Sequence, residues 1–214
     1  FMPVFTNIVN KAEQQNRLLD NSRKSVLWLR KEATKVTDKP EQIIREAPKP
    51  RQTRQTQLEF GEMFLYQYDA KHKATLPYWD QFPLVIPFDI SRTTGKVGSS
   101  GGFMGLNFHY LHPRHRAILM DQLYQFKKID RITNEERMAF TWRTLQGIAQ
   151  TQLFKPCVKK YLFNHVNRNM FVKIDPSEWE MALFLPIQRF ESKGKSINPN
   201  TVWNDSLKAA KKKP

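Results

Sequence analysis

The 214-residue chain is predicted to have an α+β fold, in which several helices cover a small antiparallel β-sheet of about three strands. Residues 59–111 support the sheet, because their apolar residues alternate as they do in half-buried strands. The segments on both sides follow helical spacing instead. The N-terminal residues are basic and contain few core candidates, which adds an extended N-terminal helical arm to the prediction.

Composition and charge divide the chain into three parts. Residues 1–58 are expected to form the helical arm and a basic linker, 59–190 the α+β core domain, and 191–214 a basic C-terminal helix with a lysine tail. The chain is 40% hydrophobic, which is enough for a real core. We find no run of about 18 apolar residues and therefore expect no membrane span.

The arm begins with a predicted helical region, residues 7–36. Its segment "SRKSVLWLRKEATKV" lacks glycine and proline, and it repeats small or apolar residues at helical intervals opposite a basic face. Residues 39–57 are predicted to be a linker, which Pro48 and Pro50 keep from continuing as a helix. The linker is a basic strap that would suit either a phosphate backbone or an acidic protein neighbour.

Three strands are predicted in the middle of the chain, in "EFGEMFLYQYD", "FPLVIPFDI" and "GFMGLNFHYL". Pro83 and Pro87 cannot donate to a ladder, so the second strand is expected to lie at a sheet edge or to contain a bend. Five of the eight glycines lie within residues 95–105. The segment "SRTTGKVGSSGG" is therefore predicted to be a mobile hairpin tip.

Helices are predicted to dominate the remainder of the chain. Pro113 can begin "PRHRAILMDQLYQF", and Asn134 can cap "EERMAFTWRTLQGIAQ". Asp175 is a candidate cap for "DPSEWEMALFL". The segments "KPCVKKYLFNHV" and "NTVWNDSLKAAKKKP" are also predicted to be helical.

No constellation of residues predicts a cofactor or metal site. His109, His112 and His115 are spaced by three, but Pro113 interrupts the helix that would bring them together, so structural or exposed histidines are favoured over a zinc site. The glycine-rich segment lacks the Gly-Lys-Ser/Thr ending of a phosphate-binding Walker loop.

Catalysis is not predicted either. Asp69, Asp80 and Asp89 lie around the sheet, but their spacing matches no divalent-metal nuclease motif, and Asp69 is expected to form a turn. Neighbouring lysines would lower the pKa of the single cysteine, Cys157, yet no base is positioned to activate it. A buried structural thiol is favoured, and the chain is predicted not to be an enzyme and to take no small-molecule substrate.

The aromatic segment "LPYWDQFPLVIPFDI" admits two interpretations. Tyr78, Trp79 and Phe82 could stack on nucleic-acid bases, as aromatic residues do on single-strand-binding sheets. Such a surface needs basic neighbours, whereas residues 59–111 carry a net charge of −1. Burial beneath the helices is the simpler account, so the segment is interpreted as scaffold.

The charge of the flanking segments predicts a polyanionic partner. The chain has 35 basic and 20 acidic residues, a net charge of +15, and the whole of the excess lies outside residues 59–111. Nucleic acid is the polyanion that such a surface most commonly binds. The candidate phosphate contacts are Arg45, Arg51, Arg54, Arg114, Arg116, Lys127, Lys128, Arg131, Lys155, Lys159, Lys160, Lys208, Lys211, Lys212 and Lys213.

Several ordered blocks of the sequence resemble a phage family. They are "FLYQYDAKHKATLPYWDQFPLVIPF", "GFMGLNFHYLHPRHRAILMDQLY", "KPCVKKYLFNHV", "DPSEWEMALFLPIQRF" and "VWNDS". From about residue 60 to 206 the chain is similar to the DNA end protector family of T-even-like tailed phages. The "RTTGKVGSSGG" loop looks like an insertion relative to that family.

This resemblance implies a virion protein that binds the ends of packaged linear double-stranded DNA. It would shield the ends from host exonuclease in the host cytoplasm and help to complete the head for tail joining, beside portal, neck or tail proteins. It implies no catalytic residues. The alternative is a structural interaction protein of the neck, tail or baseplate, whose basic arm grips acidic neighbours without specific binding of DNA ends.

Overall fold

The computed structural model describes residues 4–14, 54–55, 58–59, 61–90, 101–125, 146–147, 150–166, 171–174, 182–183 and 188–211. The α-helices with defined bounds are α1 (Val4–Gln14), α2 (Pro113–Gln125) and α3 (Pro199–Lys211). The strands are β1 (Arg54–Gln55), β2 (Met63–Leu65), β3 (Trp79–Asp80), β4 (Leu84–Ile90), β5 (Gly102–Asn107), β6 (Val158–Leu162), β7 (Phe171–Ile174), β8 (Phe190–Ser192) and β9 (Lys195–Ile197). Each described helix is too short or too polar to span a bilayer.

The strands form two antiparallel sheets. Six strands make the larger sheet in the order β1-β7-β2-β4-β5-β6, and three make the smaller one in the order β3-β8-β9. The prediction of an α+β fold with antiparallel strands is confirmed. The expected count of about three strands is wrong, because only β2, β4 and β5 were predicted and the shorter or more polar strands were missed.

The proline-containing strand β4 lies in the interior of the larger sheet, between β2 and β5. Of the two alternatives predicted for it, the edge position does not apply, whereas an irregularity is present, since the ladder with β5 shifts register between Pro87 and Asp89. A bulge lets a residue without an N–H donor sit in a central strand. Gly105 faces Pro87, and a Cβ at Gly105 would overlap Val85 and lie 3.0 Å from the carbonyl oxygen of Ile86.

The helix predicted for residues 155–166 is also wrong. A 3₁₀ turn at Lys155–Cys157 leads into strand β6, and a second 3₁₀ turn follows at Phe163–His165. Strand β6 pairs with β5 from Leu106 to Gly102. Pairing with a central strand outweighs the weak local preference of these residues for a helix.

The core consists of two clusters separated by the larger sheet. Successive residues of β4 alternate between them, with Leu84 and Ile86 in one cluster and Val85 in the other, as the two-residue period of a strand requires. The second cluster is mainly aromatic. Its centre is Tyr66, whose ring lies 5.1 Å from that of Phe171 and 5.5 Å from that of Tyr161. Both faces of the sheet are therefore buried.

Helices α1 and α2 pack against each other beside the first cluster. Val9 of α1 is buried in that cluster, and the Thr6 backbone N–H donates to the Asp121 carboxylate at 2.8 Å. The predicted helix starting at Pro113 is confirmed as α2, and the predicted C-terminal helix as α3. The predicted helical region 7–36 is confirmed only where it overlaps α1.

Other predictions lie outside the described residues. They are the helix at 22–36, most of the linker at 39–57, the loop at 91–100 and most of the helices at 135–150 and 175–185. The division of the chain into three parts stays a prediction. Within the described residues, strand β8 spans its expected boundary at residue 190.

Candidate nucleic-acid interface

A pocket of about 310 Å³ lies between strand β6, helix α3 and the 3₁₀ turn Lys155–Cys157. We call it the lysine–tyrosine pocket, after the side chains that dominate its lining. Its lining residues are Tyr78, Tyr110, Gln152, Lys155, Pro156, Lys159, Asp205, Ser206 and Ala209. Aromatic, basic and hydroxyl groups from distant parts of the sequence therefore meet in one cavity.

Hydrogen bonds to the 3₁₀ turn Phe108–Tyr110 fix one wall of this pocket. The Trp203 side chain of α3 donates from Nε1 to the His109 carbonyl oxygen at 2.9 Å. One helical turn later, Ser206 Oγ donates to the Tyr110 carbonyl oxygen at 2.7 Å. Because Trp203 and Ser206 are buried, they hold α3 against the core and leave the opposite face of the helix in solvent.

Lys159 is the most enclosed cation of the pocket. Its ammonium nitrogen lies 4.1 Å from the centre of the Tyr110 ring, a cation–π contact. Burial lowers the pKa of Lys159, because the charged ammonium has lost much of its hydration. Among the described residues no carboxylate forms an ion pair with it. The described contact of its ammonium group is thus with the face of an aromatic ring.

Tyr78 forms the aromatic wall on the other side of the pocket. Its ring lies 6.0 Å from that of Tyr110 and 6.1 Å from that of Phe190, and it is half-buried. Burial, and secondarily the charge of Asp205, raises the pKa of the Tyr78 hydroxyl. The hydroxyl therefore stays protonated near neutral pH and can donate a hydrogen bond.

The interpretation of the aromatic segment as scaffold is confirmed for Trp79, which is 6% exposed within the aromatic cluster. Phe82 is half-buried, with the Arg189 guanidinium 5.4 Å from its ring centre. Tyr78 differs from both, because it lines the lysine–tyrosine pocket as well as packing on its neighbours. Sequence reasoning missed this role, since the lysines beside Tyr78 come from residues about 80 positions later.

Several predicted phosphate contacts come together around the pocket. Lys155 and Lys159 line it, and Lys208 and Lys211 are exposed on α3, the helix that forms its wall. Lys160 is also exposed, on the opposite face of β6 from Lys159 by strand alternation. In the part of the chain that the structure describes, none of these five lysines takes part in an ion pair.

Arg114 is exposed near the start of α2, close to helix α3. The adjacent His112 ring lies 5.7 Å from the Trp203 ring, which ties the two helices together at this point. Arg114 thus remains a candidate phosphate contact near the lysine-bearing helix.

Arg116 requires a correction, because it is only 2% exposed and cannot reach a phosphate at the surface. Its guanidinium donates to three backbone carbonyl oxygens: those of Leu111 at 2.8 Å, Leu183 at 2.9 Å and His109 at 3.2 Å. Burial lowers its pKa to about 9, and the charge of Asp80 partly opposes that shift. Arg116 is a structural residue.

The remaining predicted contacts lie outside the described residues, except for Arg54, of which only the backbone is described. Those wholly outside are Arg45, Arg51, Lys127, Lys128, Arg131, Lys212 and Lys213. Arg54 lies in β1, where its backbone pairs with Val172.

Two lysines elsewhere on the surface are paired with carboxylates. Lys73 lies 2.9 Å from Asp69, and Lys173 lies 2.7 Å from Glu59 and 3.6 Å from Glu62. These pairs neutralise the local charge. The lysines around the lysine–tyrosine pocket differ from these two in having no ion pair among the described residues, as do the exposed Lys71, Lys193 and Lys195.

A larger pocket, of about 570 Å³, lies on another part of the surface. Its lining includes Asp69 and Glu191 as well as Lys73 and His165. The two carboxylates outnumber the single ammonium group, so this pocket is less suited to an anionic ligand than the smaller one.

The three aspartates that were considered as nuclease residues lie in different environments. Asp80 is buried, and its carboxylate accepts from Phe82 N–H at 3.1 Å, from Asn107 Nδ2 at 3.1 Å and from His109 Nδ1 at 2.8 Å. Asp69 is exposed and paired with Lys73, while Asp89 is exposed on β4. Within the described ranges, no three His, Cys, Asp or Glu residues are grouped so as to hold a metal ion.

The histidines and the cysteine have structural surroundings. His109 is buried beside Asp80, whereas the rings of His112 and His115 face each other at 6.4 Å. Cys157 is fully buried, and burial raises its pKa to about 12. Lys159 lowers this pKa, as expected of a nearby lysine, but desolvation of the thiolate outweighs that effect and the net pKa is raised.

Comparison with known proteins shows the family to which the chain belongs. A family model described as Phage T4 terminal DNA protecting protein matches residues 5–206. No curated protein and no solved structure gives a significant match. The family model covers nearly the whole chain, including the strands and the helix that build the lysine–tyrosine pocket.

Proposed function

Because the chain belongs to the phage terminal DNA protecting protein family, we propose that it binds the ends of packaged linear double-stranded DNA and shields them from host exonuclease. In this proposal it acts as a virion component and, after injection, in the host cytoplasm. It also helps to complete the head for tail joining, in contact with portal, neck or tail proteins.

The observation that carries the proposal is the group of lysines, without described ion pairs, on the elements that form the lysine–tyrosine pocket. Lys155, Lys159, Lys208 and Lys211 lie on elements that pack together, and no ion pair among the described residues involves them. Lysines placed in this way bind phosphates of any sequence, because phosphate contacts fix position without reading bases. Each neutralised phosphate also releases condensed counterions, which supplies a favourable entropy.

Binding without cleavage follows from the environment of the carboxylates. The Asp80 carboxylate is already occupied by several hydrogen-bond donors, and Asp69 is paired with Lys73. Asp69 shares the larger pocket with Glu191, but within the described residues no three His, Cys, Asp or Glu side chains are grouped so as to hold the metal ion that would activate water. We therefore assign the chain a protective rather than a catalytic role.

A protection assay tests this function. Linear DNA is incubated with the purified protein and a processive exonuclease, and binding to circular DNA of the same sequence is measured as a control. We expect digestion of the linear DNA to slow at saturating protein. Digestion at the rate of naked DNA would overturn the proposal, and it would leave the basic surface to an acidic protein neighbour in the neck, tail or baseplate.

The salt dependence of binding tests whether the described lysines carry the phosphate contacts. In a variant with Lys155→Gln, Lys208→Gln and Lys211→Gln, the slope of log K against log salt should become shallower by about 0.9 for each phosphate that is no longer neutralised. The matched control carries Lys71→Gln, Lys193→Gln and Lys195→Gln, three exposed lysines on other elements. The control removes the same net charge, so equal effects in both variants would show that the lysines around the pocket have no special role.

A further inference from the structure

We infer that the lysine–tyrosine pocket is the site that recognises the DNA end itself, by taking the terminal nucleotide with its phosphomonoester between Lys155 and Lys159 and its nucleoside against Tyr78. This inference rests on the proposed function and adds a reason why a free end would be preferred over internal duplex. General phosphate contacts do not supply that preference, because every internal phosphate offers them equally.

The size of the pocket favours a chain end. Its volume of about 310 Å³ lies at the lower limit of ligand pockets, which are roughly 300–1,000 Å³. A cavity of this size accepts one nucleotide but not a continuous duplex. A terminal nucleotide can enter it directly, whereas an internal nucleotide would first have to be flipped out of the stack, at the cost of its stacking and pairing.

The charge of the pocket favours a terminal phosphate. An internal phosphodiester carries one negative charge, whereas a phosphomonoester carries about 1.5 to 2 at neutral pH. Lys155 and Lys159 contribute two positive charges to the lining, against one negative charge from Asp205. The net charge of the lining is thus +1, and it attracts the more highly charged monoester more strongly than the diester.

Lys159 also gains more from an anion than a fully solvated lysine would. Its ammonium group is largely enclosed and faces the Tyr110 ring at 4.1 Å. A desolvated cation without a hydrogen-bonded counterion is costly, so a phosphate oxygen at the pocket would restore a charge-assisted hydrogen bond. The Tyr78 hydroxyl, which stays protonated, is a further donor on the adjoining wall.

The test uses one duplex sequence in four forms: blunt with 5′-phosphates, blunt with 3′-phosphates, blunt with hydroxyl ends, and closed by hairpins at both ends. Dissociation constants are measured for the full chain at a single salt concentration. We expect one of the phosphorylated forms to bind about tenfold more tightly than the closed form. The 5′ and 3′ arms identify which phosphate the pocket takes.

Two variants locate the preference. Lys159→Met keeps an unbranched side chain and removes the charge, and Lys155→Met does the same at an exposed position of the pocket. Both should lower the affinity for the phosphorylated form towards that for the closed form. The matched control is Lys160→Met, the exposed neighbour on the opposite face of β6, which should weaken both forms equally and preserve their ratio.

The outcomes separate this inference from the proposed function. If the wild-type chain protects linear DNA but shows equal affinity for all four forms, or if both pocket variants keep its preference, the inference is overturned and the proposed function stands. If the wild-type chain neither binds nor protects DNA, both fail. Circular dichroism confirms that each variant is folded, and Lys155→Met alone decides the matter if Lys159→Met does not fold.

Discussion

Arg116 and Lys159 are two enclosed cations, each next to an aromatic ring, yet their surroundings differ in hydrogen bonding. The Arg116 guanidinium lies 5.3 Å from the centre of the Trp203 ring and donates to three backbone carbonyl oxygens. The Lys159 ammonium lies 4.1 Å from the centre of the Tyr110 ring, at the wall of an open pocket.

This difference distinguishes a cation of the fold from a cation available to a ligand. The donors of Arg116 join two segments, one with His109 and Leu111 and the other with Leu183, and a forked guanidinium suits several acceptors at once. Lys159 has three N–H donors, and its described contact is with a ring face rather than an oxygen. Both residues are enclosed, so burial does not distinguish them. They differ in whether their N–H donors have oxygen acceptors among the described residues.

The largest expected effect comes from replacing the structural cation, Arg116. We expect Arg116→Met to lower the free energy of unfolding by about 2–4 kcal/mol, because a buried acceptor left without its donor costs about 1–3 kcal/mol. The Leu111 and Leu183 carbonyl oxygens would lose this donor, while that of His109 keeps the Trp203 side chain. Urea denaturation measures the change.

Arg116→Lys is the informative companion variant. A lysine retains the positive charge but lacks the planar fork that reaches three acceptors, so it should recover only part of the stability that Arg116 provides. Lys160→Met is an exposed control and should change stability by less than about 0.5 kcal/mol. Full stability in Arg116→Met would show that the three carbonyl contacts do not hold the fold together.

The stability of the protein is also expected to depend on pH through His109, a buried residue next to Arg116. Burial lowers the pKa of His109, and the charge of Arg116 acts in the same direction, while Asp80 opposes both. As pH falls below about 6.5, the unfolded chain binds a proton that folded His109 does not. Stability should therefore fall with decreasing pH in this range, by up to about 1.4 kcal/mol per pH unit.

His109→Gln should flatten that part of the profile, because the glutamine cannot titrate and its amide can still donate towards Asp80. His115→Gln is the matched control. Burial, and then the charge of Arg114, also lowers the pKa of His115, but this residue is only half-buried and its effect should be smaller. Denaturation midpoints across the range test this, and an unchanged slope in His109→Gln would assign the acid sensitivity to another group.

The sequence predicted those elements of the fold whose signals are local. Pro113 marked the start of α2, and the alternation of β4 and β5 located two adjacent strands. Strand β6 was missed because its Lys159–Lys160 pair interrupts alternation, and its conformation depends on pairing with β5 more than 50 residues earlier. The central position of β4 was missed for a similar reason, since the bulge that accommodates Pro87 belongs to a pair of strands.

The candidate site was predictable as a set of charges but not as a cavity. Lys155, Lys159 and Lys208 stood out in the sequence by charge alone, and so did Arg116. Arg116 differs from these lysines because it is buried and donates to the carbonyl oxygen of Leu183, 67 residues away in the sequence. What joins Tyr78 to the lysines is the packing of α3 against the 3₁₀ turn Phe108–Tyr110. No periodicity or spacing within either segment encodes that packing.

Of the two enclosed cations, the pocket cation Lys159 should have the smaller effect on stability. Lys159→Met should change the free energy of unfolding by less than about 1 kcal/mol, because removal of a poorly hydrated charge offsets the cation–π attraction of about 0.5–2 kcal/mol that the variant gives up. The methionine fills the space of the aliphatic stem, so no cavity forms. Urea denaturation beside Arg116→Met gives a direct contrast. A loss of stability as large as that of Arg116→Met would mean that Lys159 also stabilises the fold. A cation that serves to bind a ligand should contribute little to the stability of the unliganded protein.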